Sequence, residues 1–493
     1  MNILYLPLDS RPCNYDWPHE LLEDTPHSCI QPALSQMDYF KQPSDYAEIA
    51  SFLKLNIENA DAFVLSVDQL CYGSLIASRS GDLSLETARD RLAIVRQLKK
   101  ENPGIKIYAF SIIMRASISA LSKGSISEYE SMGLYSLYSG KYRDAIEKGL
   151  SEEAQDYERK AKLYKSKISP ETLQAYRFVR ERNHAINMDS VALAAEGVFD
   201  SLLLLQEDAH EYGFHTAEQR ELLEYKDCLN ARNVWLHNGA DEGGAAAIAR
   251  CISPKRTALQ VLYSGGNGGF IALYEDRPFM RNVESYLNYL QIDNAASEDV
   301  LLIHCPKDVN QREATQQNEY KDSAEETVDL AQELVRKGGR VYLLDVAYAN
   351  GGSLALIYAL KKQGMLERLV GYSAWNTASN ALGSILAQFI LDKERREPNT
   401  RFKWSRLFDD GLYLGDIRQA ASEEVRKLGE DPLCLNDKAG AEKLVHHLLQ
   451  ERLCANDWAF AVENEACGVS DKMRISISLP WNRLFEAKIE VTY

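Results

Sequence analysis

The sequence predicts an α/β protein with a (β/α) barrel-like parallel sheet region and a small C-terminal α/β domain. Two tandem doubly wound, Rossmann-like domains are the alternative architecture. Short apolar, β-rich runs alternate with amphipathic helical stretches as far as about residue 393. Most runs end in acids, amides or arginine, at the edge where parallel sheets build their sites. No linker separates the early runs from the late ones, which favours one continuous barrel.

The first strand, residues 3–8, stops at Asp9; it lacks a basic leader, and its apolar run is too short for a secretory signal. Further strands are expected at 62–67, 105–113, 201–205, 234–237, 258–263, 300–304, 340–344 and 369–373. Helical patterns lie between them at 84–100, 243–251, 324–337 and 353–363. An insertion at about 117–182 holds charged, helix-rich sequence at 142–167 and the tyrosines Tyr129, Tyr135, Tyr138 and Tyr142. It reads as a lid or wall, or as an external helical hairpin. Beyond 393 the pattern changes to helices at 416–428 and 439–454 and strands at 459–463, 474–479 and 485–493. Domains are therefore expected at 1–393 and 394–493.

With 493 residues, 45% hydrophobic and 26% charged, the chain has the composition of a folded protein and not of a disordered one. Lys plus Arg (56) against Asp plus Glu (72) gives a net charge of −16, which repels phosphate backbones and anionic lipid, so neither nucleic acid nor membrane is an expected partner. Nine scattered cysteines without a C-x-x-C pair argue against a disulfide framework or structural zinc, and fit a reducing cytoplasm.

The chemistry is expected at the strand ends. These supply Asp9, Arg11 and Asn14; Asp68 and Tyr72; Arg115; Glu207 and Asp208; Asp241 and Glu242; Asp345 and Asn350; and Trp375 with Asn376. Any one Asp or Asn after a strand is as readily a helix cap, so the set carries the argument. Asp241 and Glu242 are adjacent and flanked by glycines, and such a pair divides labour when one carboxyl keeps its proton and the other stays ionised. The alternative is that one of them caps the following helix. Asp241, Glu242 and Asp68 are the candidate catalytic residues. Glu275, Asp276 and Arg277 add acids and an arginine suited to an ion pair or to substrate oxygens. Trp375 with Asn376 suits stacking on a sugar ring and hydrogen bonding to its hydroxyls, or else is core. Glu207, Asp208, His210, Glu211 and His215 match no metal-ligand spacing, and no cofactor is expected. The glycine-rich 264–269 fits neither dinucleotide nor P-loop patterns, and there is no G-x-S-x-G elbow to serve a nucleophilic hydrolase.

Several segments together resemble the bacterial domain-of-unknown-function 4127 family: Leu6-Pro7-Leu8-Asp9-Ser10-Arg11-Pro12, Ser66-Val67-Asp68-Gln69-Leu70-Cys71-Tyr72-Gly73, Arg182-Asn183-His184 and Gln206-Glu207-Asp208-Ala209. So do Gly239-Ala240-Asp241-Glu242, Tyr274-Glu275-Asp276-Arg277-Pro278, Asp345-Val346-Ala347-Tyr348-Ala349-Asn350-Gly351 and Trp375-Asn376-Thr377-Ala378-Ser379-Asn380. The resemblance brings Asn183 and His184 into the candidate binding set and implies no established activity. Locally, Leu8-Asp9-Ser10-Arg11 and Gly239-Ala240-Asp241-Glu242 are also similar to two strand ends of the barrel-type β-N-acetylhexosaminidases, although the spacing between them differs. That likeness implies that Arg11 binds sugar hydroxyls, Asp241 orients an acetamido group and Glu242 protonates the leaving oxygen.

The expected function is a cytoplasmic glycosidase-like hydrolase with Asp/Glu acid–base catalysis, acting on small oligosaccharides or glycosides, N-acetylhexosamine-containing ones among them. One alternative is a sugar isomerase, lyase or other carbohydrate-converting enzyme, metal-assisted through Glu207, Asp208 and His210. Another is a non-catalytic sugar- or anion-binding protein on an enzyme scaffold.

Overall fold

The computed structural model describes the chain except residues 82, 119–125, 254, 319–321, 457, 459, 463–472 and 493. The described residues form two compact units, Met1–Ile252 with Tyr274–Arg277, and Ser253–Leu273 with Pro278–Tyr493. In the first unit, β1 (Asn2–Leu6), β2 (Ser28–Ile30), β3 (Ala62–Ser66), β4 (Lys106–Ile113), β5 (Ser201–Gln206) and β6 (Val234–Asn238) make one open parallel sheet, ordered β2-β1-β3-β4-β5-β6. β3 and β5 are buried at every position, which is why they read as unbroken apolar runs and not as alternations. Helix Leu85–Glu101 starts where Ser84 Oγ accepts the Thr87 N–H. It buries Ala88, Leu92, Val95 and Leu98, one stripe at helical spacing, in the core with Leu4, Phe63, Ile107 and Leu202.

Helix Gly243–Ile252 decides where the site forms. It leaves β6 at one edge of the sheet, yet packs against β3 and β4, and Gly244 lies so close to the Tyr5 hydroxyl of β1 that a Cβ there would collide with it. A run of Gly and Ala lets the helix approach the sheet so closely, and the residues just before it are thereby returned to the first strand. The insertion contributes helices Ile126–Glu147 and Ser151–Lys165, packed together as a pair, and Pro170–Ala195, which packs on β4 and β5.

The second unit holds β7 (Thr257–Ser264), β8 (Ile292–Asn294), β9 (Asp299–His304), β10 (Arg312–Glu313), β11 (Arg340–Asp345), β12 (Tyr348–Ala349) and β13 (Gly371–Ser373). Its main sheet is parallel and ordered β13-β11-β9-β7-β8, with β10 and β12 paired separately. Taken in chain order, both main sheets begin with the same arrangement: second, first, third, fourth, fifth. β14 (Phe460–Val462), β15 (Met473–Ser478) and β16 (Lys488–Thr492) form a small sheet with one parallel and one antiparallel pairing.

The α/β class and its parallel strands are as expected, and of the two architectures weighed it is the tandem one that forms: two open sheets in place of one closed barrel. The edge strands β2 and β8 have only three residues each and no apolar run, so the remaining strands read from sequence as one continuous series. The boundary expected at 393/394 falls inside the second unit. There Asp392 accepts the Asn399 N–H at 3.1 Å, Lys403 Nζ donates to the Leu366 carbonyl at 2.8 Å, and helix Thr400–Arg406 packs on β13.

Candidate functional site

Beyond β1, Asp9, Arg11 and Asn14 form a buried knot. Arg11 Nε donates to both Asp9 oxygens (3.1 and 3.0 Å) and Nη2 to Asp9 Oδ2 (2.7 Å). On the other side, Nη2 donates to Asp241 Oδ1 (2.6 Å) and Nη1 to Asp241 Oδ2 (3.2 Å). Asn14 Nδ2 donates to Asp9 Oδ1 at 2.9 Å, and Ser10 N–H to Asp38 Oδ1 at 2.8 Å. Burial works against the Arg11 charge, but Asp241 and Asp9 outweigh it and hold its pKa above the ordinary value. Asp38 is pushed well up, by burial and then by the charge of Asp9.

Asp241 reaches this knot because helix Gly243–Ile252 turns back over the sheet. Glu242 folds onto its own turn, its Oε2 accepting the Ala240 N–H at 3.0 Å. Gly239 makes the turn possible: its φ is +124°, and a Cβ there would strike the Glu242 carboxyl. Gly239→Ala is therefore expected to lower stability by at least about 2 kcal/mol in urea unfolding, from backbone strain plus displacement of Glu242.

The second focus is Asp68, in the first turn of helix Val67–Tyr72, which Ser66 caps at the end of β3. Its Oδ2 accepts the Ile112 N–H of β4 at 2.8 Å. Burial pushes its carboxyl up to about 7; the Ile112 bond opposes the shift, Glu207 adds to it, and Arg79 and Arg182 oppose it. Glu207 pairs with Arg79, with Arg115 Nη1 further off at 3.8 Å, and Arg115 pairs with Asp208. Glu207 is itself raised by burial, with the two arginines opposing and Asp208 and Asp241 adding. Since Asp68 feels Glu207 and Glu207 feels Asp241, the knot and this cluster are one charge network. It sits at the β1/β3 switch point, where open α/β sheets hold ligands.

Arg182 joins this network through its charge on Asp68, and expected neighbours support it from outside. The Arg182 guanidinium lies 4.4 Å from the Tyr72 ring, and Arg182 Nη2 and Asn183 Nδ2 both donate to the Ser78 carbonyl (2.6 and 2.8 Å), next to Arg79. Gln219 bridges Gln206 and Asp276 and accepts from Arg277, while Ala209 N–H donates to the Tyr274 carbonyl. These bonds tie 274–277, with buried Glu275, to the first unit. His184 is bonded elsewhere, to Glu221 at 3.0 Å. Burial drives His215 down to about 4 and His237 to about 3, so both are neutral near pH 7. The trio considered for a metal is divided: Glu207 and Asp208 face arginines, and the His210 carbonyl takes the ring of His215. Among the described residues no group of three His, Cys, Asp or Glu is placed to hold a metal ion.

Asp345, Asn350, Trp375 and Asn376 belong to the second unit. Asp345 is raised by burial and accepts the Ser353 N–H (2.7 Å) and the Tyr372 hydroxyl (3.2 Å). Asn350 Nδ2 donates to Glu313, and the Asn376 carbonyl accepts the Asn350 N–H at 2.7 Å. Trp375 is 1% exposed, so the expected sugar-stacking face is a core side chain. Trp375→Ala should accordingly cost about 3–5 kcal/mol in denaturant unfolding.

Sequence reasoning missed Asp38 and Arg79, which follow no strand, and Arg182, singled out only as the neighbour of Asn183. In the second unit it missed a buried chain in which Thr327 Oγ1 meets His304 Nδ1 (2.7 Å) and donates to Ser264 Oγ (2.9 Å), while Ser353 donates to Asp322. It also missed Asp410, which accepts from Arg406 and from the Ala374 N–H within the π-helix Leu407–Ile417. A π-helix is not readable from hydrophobic periodicity, because its register follows tertiary demand.

The profile of a family described as a protein of unknown function (DUF4127) matches residues 3–490, so the chain belongs to that family. No curated protein matches it.

Proposed function

We propose that this family member is a glycosidase-like hydrolase of small oligosaccharides or glycosides, with its acid–base centre at the carboxyl edge of the first sheet. Asp68 is the general acid. Its pKa of about 7 leaves a proton available near neutrality, and it directly follows β3 at the switch point of the sheet. This is the observation that carries the reading. Asp241, ion-paired to Arg11, supplies the fixed negative charge, and Glu207 tunes Asp68. The roles first expected of Asp241 and Glu242 thus pass in part to Asp68, because one is gripped by arginine and the other caps its own turn.

The described cysteines are free thiols, Cys13, Cys71, Cys251 and Cys305 being buried, which supports a reducing cytoplasm. No helix among the described residues is long and apolar enough to cross a membrane. The net charge of −16 supports a small neutral substrate over nucleic acid.

Incubation with a mixed oligosaccharide pool in H₂¹⁸O separates the classes. Hydrolysis raises the number of reducing ends and, read before anomeric oxygens exchange with solvent, puts one ¹⁸O into each new one. An isomerase or lyase forms no such label through bond hydrolysis, and a binding protein returns the pool unchanged; either result overturns the hydrolase reading.

A further inference from the structure

We infer that the helical insertion carries a second small-molecule site, selective for an aromatic ring bearing one carboxylate. A cavity of about 330 Å³ opens among helices Ile126–Glu147, Pro170–Ala195 and Phe214–Cys228. That volume suits one small ring compound. Its lining brings together the rings of Tyr135, Tyr176 and Phe214, with Tyr135 edge-on to Phe214 at 5.2 Å and Tyr176 tilted against it at 6.3 Å. Aromatic walls of this kind receive a flat ring by edge and offset contacts.

The charges of the lining determine the other half of the ligand. Arg180 is held by Glu218 at 2.7 Å, and His184 by Glu221 at 3.0 Å. Arg143 makes no ion pair or hydrogen bond among the described residues, and Arg177 meets only the Tyr135 hydroxyl, at 3.4 Å. Against these two guanidinium groups stands the exposed carboxylate of Glu181. Arg143 and Arg177 are thus the guanidinium groups of the lining that no carboxylate holds in an ion pair among the described residues, and beside the aromatic floor they can meet a ring monocarboxylate with a charge-assisted hydrogen bond.

The back of the cavity also touches the acid–base network. The Tyr176 hydroxyl donates to the Ala116 carbonyl at 3.0 Å, and Arg180 Nη1 to the Arg115 carbonyl at 2.8 Å. The Arg115 guanidinium in turn pairs with Glu207 and Asp208. Occupancy therefore bears on the backbone that aims Arg115. This coupling rests on the hydrolase reading; binding itself does not.

The test is calorimetric titration of the full chain with 4-hydroxybenzoate, and with phenol and acetate as its two halves. Expected are saturable one-site binding of 4-hydroxybenzoate, at least tenfold weaker binding of either half, and at least tenfold loss in Arg143→Gln and Arg177→Gln. Both variants keep the wild-type melting temperature, since Arg143 is half-buried and Arg177 exposed. Asp68→Asn binds as wild type does, so failure of the hydrolase reading leaves this site standing. Absence of saturable binding overturns the proposal. So does an affinity unchanged in both arginine variants, or one lost in Asp68→Asn and kept in Arg143→Gln.

Discussion

Asp68→Asn is expected to lower kcat/KM for glycoside turnover by about 10²–10⁴-fold, the usual worth of a positioned acid, while stabilising the fold at pH 8. The two effects have one cause. The folded carboxyl titrates at about 7 because it is buried, whereas in the unfolded chain it titrates near 3.9. Between those values the folded state binds the extra proton, so this group's contribution to stability is complete below about pH 4. It is lost as pH rises through about 7. Three pH units correspond to roughly 4 kcal/mol as an upper bound, of which relaxation around the charge will remove part. An amide stays neutral and still accepts the Ile112 N–H, so the variant should gain a few kcal/mol over wild type at pH 8 and nothing at pH 4. Urea unfolding of both proteins at the two pH values reads this difference. In wild type, kcat/KM falls about tenfold per unit above pH 7, as the acid loses its proton.

Arg11→Ala is expected to cost about 3–5 kcal/mol in urea unfolding, since it leaves Asp9 and Asp241 facing each other without their shared cation in a buried setting. Asp241→Asn should cost less, roughly 1.5–3 kcal/mol, because it weakens charge-assisted bonds yet leaves Arg11 paired with Asp9. The order of the two variants is the informative result. If Asp241→Asn were the worse, the knot would be held together by some feature of Asp241 other than its pairing with Arg11.

Much of this fold was legible because fully buried parallel strands announce themselves as apolar runs, and Ala62–Ser66 and Ser201–Gln206 lie within a residue of their expected bounds. Strands Ser28–Ile30 and Ile292–Asn294 were not legible, since edge strands of three residues, of which only Ile292 is buried, have no pattern. That gap alone separates a barrel from two open sheets. Helices Gly243–Ile252 and Lys438–Ala455 match their expected bounds closely, whereas the π-helix Leu407–Ile417 was read partly as loop and partly as helix.

The candidate site was legible where polar residues follow a strand directly. Asp9, Arg11, Asp68, Glu207 and Asp241 do converge, because parallel strands share a polarity. What the sequence could not supply is partnership. Arg11 looked like a hydroxyl anchor and turned out to be gripped by two carboxylates, and Trp375 looked like a sugar platform and is core. Arg79 reaches Glu207 across 128 residues of chain, a contact that no local pattern encodes.

In the proposed reaction Asp68 delivers a proton to a departing glycosidic oxygen. A panel of phenyl glycosides, N-acetylglucosaminide and N-acetylgalactosaminide included, whose poorly departing aglycone needs a proton, is to be presented to wild type and to Asp68→Asn at pH 6.5. Wild type is expected to release phenol from at least one member, and a variant that unfolds no earlier at least hundredfold less. Equal turnover by the two proteins, or none by a folded wild type across the panel, would contradict the proposed reaction.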